Sequence, residues 1–383
     1  MSVNVTRTAI DLAYVHNTPI TLIASRRQIE CAALGRGYVN NWTTEEFGEF
    51  VRLSDPRGLV RLARDHGGPW QGEGAEEHLD EAAAMARALE SYRADILSGF
   101  TLLHIDPNKN PAGERGADVL TFTRRTKELL TACHGMAVAA GKKVGFEIGT
   151  DEGFIGALSP EQTEKFIIEI TEFCRNAEIP LPEYAVVQTG TKVMERKNIG
   201  PMDGWIARDR NLPSDHALPR LVALCQRNGI KLKQHNTDYL SNEALAMHPG
   251  WGIDAANVAP EFGVAETLTL ADTLERNGGG ALAAEILDVA LASNKWRKWM
   301  VPGSPANDTE KAIIAGHYVF AQPEFLKMKT AAMRYLADRG VDLEESLCAA
   351  IRRSMERYMR AFNLINQSQE TRWAETKLMA SAS

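Results

Sequence analysis

The chain has 383 residues, 44% of them hydrophobic and 24% charged, a globular balance that excludes wholesale disorder. Its formal net charge is −7 with lysine and arginine spread throughout, so no basic stripe is offered to a nucleic-acid backbone. The five cysteines (Cys31, Cys133, Cys174, Cys225, Cys348) form no CxxC pair, Asp11 and His16 interrupt the only leader-like run, and nothing approaches the ~18 apolar residues of a membrane span. A cytoplasmic protein with reduced thiols is expected.

From about residue 20 to residue 260, short apolar runs alternate with longer amphipathic ones. The short runs, in chain order, are ITLIAS (20–25), LVRLARD (59–65), LLHID (102–106), KVGFEIG (143–149), YAVVQTG (184–190), KLKQHN (231–236) and GIDAANVA (252–259). Each has strand length. Between them lie helix patterns. EEHLDEAAAMARALESYRADIL puts Leu79, Ala83, Met85, Leu89 and Ile96 on one face, and DVLTFTRRTKELLTACHGMAVAAG stops at Gly141. SPEQTEKFIIEITEFCRNA opens with Ser159 as N-cap, Pro160 in the first turn and Gln162 as capping-box partner, and LPRLVALCQRNG stops at Gly229.

Strands alternating with such helices predict parallel βαβ units. Seven in series, with no GxGxxG or GxxxxGK motif, favour an α/β fold of the (β/α)8 TIM-barrel type over a doubly wound sheet. AGHYVFA (315–321), after the loop VPGSPAND, is the candidate eighth strand. The expected organisation is a barrel domain over residues 1–330. A helical extension over 331–383 would pack on the barrel or on a partner subunit, ending in a disordered MASAS tail.

Barrel enzymes carry their reacting groups at the C-terminal strand ends. Here those ends present Arg26 and Arg27; Asp65 and His66; His104 and Asp106; Glu147 and Glu152; Gln188 and Lys192; His235, Asn236 and Asp238; and Asn257. A structural polar layer is the plainer reading, but burying so many such groups without partners is costly. A divalent metal needs three or four N/O ligands and an open position. His66 and His235 come from different sides of a barrel and would converge at its mouth. Glu152 completes the ligand set, with Glu147, Asp106 and Gln188 as alternatives. Zinc is the first candidate.

A metal would polarise a substrate carbonyl or enediolate oxygen, while Asp65, Glu147, Glu152 or Asp106 moves a proton at the neighbouring carbon. Arg26, Arg27 and Lys192 would neutralise a phosphate or carboxylate, with His104, Gln188, Asn236, Asp238 and Asn257 as further substrate contacts. Strand alternation allows only one of Arg26 and Arg27 to point inward. These residue types serve aldol cleavage, epimerisation and keto–enol isomerisation alike.

In order, these segments resemble the tagatose-bisphosphate aldolase subunit family of the GatZ/KbaZ type, related to class II ketose-bisphosphate aldolases. ARDHGGPWQ (63–71) is similar to GGDHLGPNPWQ, LLHIDPN (102–108) to KIHLDAS, and FEIGTDEG (146–153) to VIGTEVP. AVVQTG (185–190) is similar to VVQPG, and KQHNTDYLS (233–241) to AHSTDYQ. The likeness runs from about residue 20 to 270 and implies a TIM barrel with sugar or sugar-phosphate chemistry.

By this resemblance His66 and His235 match two of the three metal histidines of class II aldolases. No histidine occupies the remaining position near Gln188–Lys192, and Asn236-Thr237-Asp238-Tyr239 replaces the glycine-rich phosphate loop. The resemblance thus implies either of two functions. One is a metal-dependent lyase or epimerase acting on a ketose, ketose phosphate or sugar acid. The other is a non-catalytic subunit that stabilises an aldolase partner. A homo-oligomer is expected, and neither nucleic acid nor membrane is an expected partner.

Overall fold

A computed structural model of the chain describes residues 2–150, 159–187 and 190–365. In chain order the elements are α1 (Val3–His16), β1 (Ile20–Ser25), α2 (Thr44–Ser54), β2 (Val60–Gly67), α3 (Glu81–Leu97), β3 (Leu102–Ile105), α4 (Val119–Ala139), β4 (Gly145–Gly149), α5 (Pro160–Asn176) and β5 (Tyr184–Val187). A small hairpin, β6 (Val193–Met194) and β7 (Lys197–Asn198), follows. Then come α6 (Met202–Asp209), α7 (Leu218–Asn228), β8 (Lys231–Gln234), α8 (Asn242–Met247), β9 (Ala255–Ala256) and α9 (Pro260–Arg276). The chain goes on through α10 (Gly280–Ala292), α11 (Asp308–Ala315), α12 (Pro323–Ala337) and α13 (Leu343–Ala361).

All seven predicted strands form, and they pair in parallel in the order β1-β2-β3-β4-β5-β8-β9. The helices begin and end where local chemistry directs. Ser159 caps α5 with Gln162 closing the capping box, and Gly229 ends α7 at φ 72°. Along β1, Leu22 and Ala24 are buried in the main core, while Ile23 and Ser25 face a cavity at the other side. That cavity is also lined by Asn257, just beyond β9, so the two outermost strands of the sheet curl toward each other.

Among the described residues no eighth strand closes the sheet. Residues 315–321, expected to be that strand, finish α11 and enter a 3-10 turn over Gly316–Tyr318. The Val-Phe composition suited a strand, but the segment is tied to α9. A Cβ at Gly316 would fall 2.3 Å from Thr267, and one at Gly263 would fall 2.6 Å from the His317 Cβ. Such close helix packing leaves no extended backbone to pair with β1 or β9. Between those two strands lies a cavity of about 350 Å³, covered by α1 and α13 through Val5, Ala9, Met355, Met359 and Phe362.

The main core fills the space between the sheet and its helices, and a second apolar cluster joins α9 through α13. Helix α12 runs across position 330, and Ile351, Met355 and Met359 of α13 belong to the main core. Among the described residues no helix is long and apolar enough to cross a membrane.

Candidate active site

Strict strand alternation would send Asp65 and His66 to opposite faces of β2. Arg64 pairs with Leu103 and Gly67 with Ile105, so β2 carries one residue more than β3 over this stretch. At this bulge His66 adopts φ 43°, a left-handed conformation rare for a residue with a Cβ. Both Asp65 and His66 therefore line the cavity at the mouth. Arg64, before the bulge, points away and is sealed against Asp95 at 2.5 Å. Gly68 follows at φ 144°, where a Cβ would lie 2.8 Å from the Asp106 carbonyl oxygen.

Three imidazoles meet there. Ring centres of His66 and His104 are 5.3 Å apart, His66 and His235 5.1 Å, and His104 and His235 5.4 Å. Asp106 accepts from His66 Nδ1 at 2.7 Å, which directs Nε2 toward Asp65 Oδ2, 3.9 Å away. The second Asp106 oxygen, Oδ1, is buried with no partner among the described residues. His104 donates from Nε2 to the Gly149 carbonyl at 2.9 Å and accepts the His66 N–H at Nδ1, at 3.2 Å. Both its nitrogens serve the main chain, so His104 braces the bulge.

His235 Nε2 lies 2.8 Å from Asn257 Nδ2 and 3.3 Å from Glu147 Oε1. Asn257 Nδ2 also reaches Asp65 Oδ1 at 3.3 Å, and Lys233 Nζ donates to Glu147 Oε2 at 2.7 Å. Lys233, Glu147, His235, Asn257 and Asp65 thus form one buried polar chain. Burial raises the Asp65 carboxyl, but His66, His104 and His235 overcome it and hold the group well below the usual carboxylate range. Burial likewise raises Glu147, while Lys233, His104 and His235 bring it to about 2. Both are carboxylates at neutral pH.

The donor set fits a divalent cation. Ligand atoms of Asp65, His66 and His235 lie within 4.8 Å of one another; those of His104, Glu147 and His235 are as close, but both His104 nitrogens are already engaged by the main chain. The His66–Asp106 bond is of the kind that fixes the tautomer of an imidazole able to ligate a metal.

Of the other expected residues, Arg27, Asn236, Asp238 and Asn257 line the cavity of about 170 Å³ above the histidines. Arg26 does not reach it. Its guanidinium is buried between Glu30 at 2.6 Å and Glu76 at 2.5 Å, so Arg27 is the member of the pair that faces inward. Lys192 is exposed on the approach to β6 and is not among the lining residues. Glu152 and Gln188 lie outside the described residues.

Two sets of residues were missed in the sequence. Lys233 lies two residues before His235, a period-two signal that would have placed both inward. Lys298, Trp299, His317 and Tyr318 form the cavity's far wall, and nothing local announces them.

The fold is a parallel α/β sheet curled toward a barrel, with a cluster of imidazoles and carboxylates at its C-terminal strand ends. No protein-family model matches the chain. A curated relative, the D-tagatose 6-phosphate 4-epimerase of Agrobacterium fabrum, is 32% identical over 156 residues, which is 38% of this chain and 34% of the relative. The match therefore spans about a third of the relative's length. Among solved structures, a protein described as a probable tagatose 6-phosphate kinase from Sinorhizobium meliloti superposes with TM-score 0.72 at 21% identity, covering 94% of this chain and 97% of that one. The fructuronate–tagaturonate epimerase of Cohnella laeviribosi superposes with TM-score 0.60 at 13% identity, covering 94% and 80%. The fructose-bisphosphate aldolase of Campylobacter jejuni superposes with TM-score 0.53 at 11% identity, covering 96% and 89%. These relatives are of the kind to which the sequence resemblance points.

Proposed function

We propose that this chain is a divalent-metal-dependent epimerase or aldolase-type lyase acting through an enediolate on a ketose sugar, its phosphate or the corresponding sugar acid. The observation that carries the reading is the convergence of Asp65, His66 and His235 at the mouth, with Glu147 and Asp106 behind them. A curated tagatose-phosphate epimerase among the sequence relatives supports it.

In this reading His66, His235 and Asp65 hold the cation, with Glu147 in reach. When bound, the metal supplies a Lewis acid for a carbonyl or hydroxyl oxygen of the sugar. Zinc is the candidate that suits mixed imidazole and carboxylate ligands. Asp106 keeps the His66 ring in the tautomer that presents Nε2. Asp65 and Glu147, held ionised, are the groups able to accept a proton from carbon; whichever does not bind the cation acts as the base. Asn257 spans Asp65 and His235 and keeps them apart. All five cysteines are free, which suits the cytoplasm.

The test is metal content of protein purified without chelator. Near-stoichiometric metal that disappears in His66→Ala/His235→Ala supports a built site, to be followed by a ketose and ketose-phosphate screen. No metal, bound or taken up, would leave the non-catalytic aldolase partner as the better reading.

A further inference from the structure

The cavity over the histidines has a second end of different chemistry. Its floor is borne by the strands and their ends, through Asp65, His66, His235 and Asn257. Its far wall comes from outside the sheet. Lys298 and Trp299 stand on a short 3-10 turn after α10, His317 and Tyr318 on another after α11, and Tyr38 faces them from the loop after β1. The Tyr318 ring centre is 4.9 Å from that of Tyr38 and 4.1 Å from that of His317, and Trp299 Nε1 donates to the Tyr318 hydroxyl at 3.0 Å. The wall is one packed unit.

Three cations bear on it, Lys298, Lys295 and Arg27. Lys298 Nζ lies 5.1 Å from the Tyr318 ring centre. Burial pushes the Tyr318 hydroxyl up to about 12, opposed by the Trp299 hydrogen bond and by the charges of Lys295 and Arg27. Glu73 is the carboxylate lining this end, and it faces Lys295 at 3.1 Å and Arg27 at 3.9 Å.

The N-terminus of α9 opens on the same cavity at Pro260 and would be the other natural seat for an anion. It is already taken. Asp238 Oδ1 accepts the N–H groups of Ala259 at 3.0 Å and Glu261 at 2.9 Å.

We propose that Arg27 and Lys298 bind the oxyanion, a phosphate ester or a carboxylate, at the far end of a ketose whose reacting carbons lie over His66 and His235. The assignment rests on the ketose reading above and makes Lys298, from the helical layer, a specificity-determining residue. Arg27 already faces Glu73 at 3.9 Å and Glu77 at 3.5 Å, and a neutral ketose adds no negative charge to the two cations, so the wall discriminates by charge.

Calorimetric titration of the full chain as purified separates this assignment from the ketose reading, because it needs no turnover. The probes are inorganic phosphate, a ketohexose 6-phosphate, a ketohexuronate and a neutral ketohexose. Lys298→Met and Arg27→Met should each weaken binding of phosphate and of one anionic sugar about tenfold or more, the worth of one charge-assisted hydrogen bond. Which anionic sugar is affected identifies the source of the oxyanion. Where turnover is found, KM for that sugar should rise more than kcat falls, and Lys298→Arg should restore most of the loss. Phosphate binding that depends on both cations while no sugar is bound or turned over would keep the oxyanion seat and sink the ketose reading. Equal anion binding by wild type and both variants, or none by wild type, would overturn the proposal.

Discussion

Lys233 shows how one unnoticed side chain can govern a site. An ammonium group 5% exposed in a sheet interior is costly unless paired, and Glu147 pairs it at 2.7 Å. The same contact keeps Glu147 ionised beside His235. Lys233→Met leaves that carboxylate buried without its cation, so a loss of about 3–5 kcal/mol is expected in urea denaturation. Lys233→Met with Glu147→Gln should recover part of it. A loss under about 1 kcal/mol would show that the pair is not a clamp. Alternation made the inward direction of Lys233 legible beside His235. Its partner was not, because Glu147 lies two strands away across β5.

At the scale of elements, the loop after β8 meets the start of α9 through Asp238. Burial pushes the Asp238 carboxyl up, Glu261 adds to this, and the N–H groups of Glu261 and Ala259 oppose it, leaving it at about 7. The folded value lies above the roughly 4 of an unfolded aspartate, so the native state holds the proton more tightly. Its stabilising contribution is fully present below about pH 4 and is lost as pH rises through about 7. Asp238→Asn keeps an acceptor for the two N–H groups and cannot ionise. The decline in unfolding free energy between pH 4 and 7.5, measured in denaturant, should therefore be shallower in the variant. An equal decline in both would remove Asp238 as its source. The capping chemistry of α5 and α7 could be read from single residues, because Ser159, Gln162 and Gly229 act within one turn of their own backbone. AGHYVFA was misread for the opposite reason. Its apolar residues suit a strand or a packed turn, and contact with α9 decides between them.

On the scale of the whole molecule, α13 completes the structure at the seam between β1 and β9. It packs on α1 and α9, places Ile351, Met355 and Met359 in the main core, and reaches the first turn of α9, where the Tyr358 hydroxyl donates to Glu261. Deleting the chain after Asp342 exposes the cavity at that seam. The truncated chain should lose its cooperative thermal transition, since removing several buried apolar side chains costs about 2–5 kcal/mol each. A truncated protein that melts as the full chain does would mark α13 as accessory.

The sequence by itself determined the parallel seven-strand order of elements, their caps, and the crowding of imidazoles and carboxylates at the strand ends. Periodicity and capping act within a few residues, so they are written locally. The tertiary structure alone decided the rest. The bulge turned Asp65 and His66 to one face, and Arg26 was drawn into an ion-pair network while Arg27 faced the cavity. His104 became a brace, and a wall from residues 298–318 was set over the site. Each depends on which distant groups share a buried space. There the cost of an unpaired charge or a close backbone contact outweighs local preference.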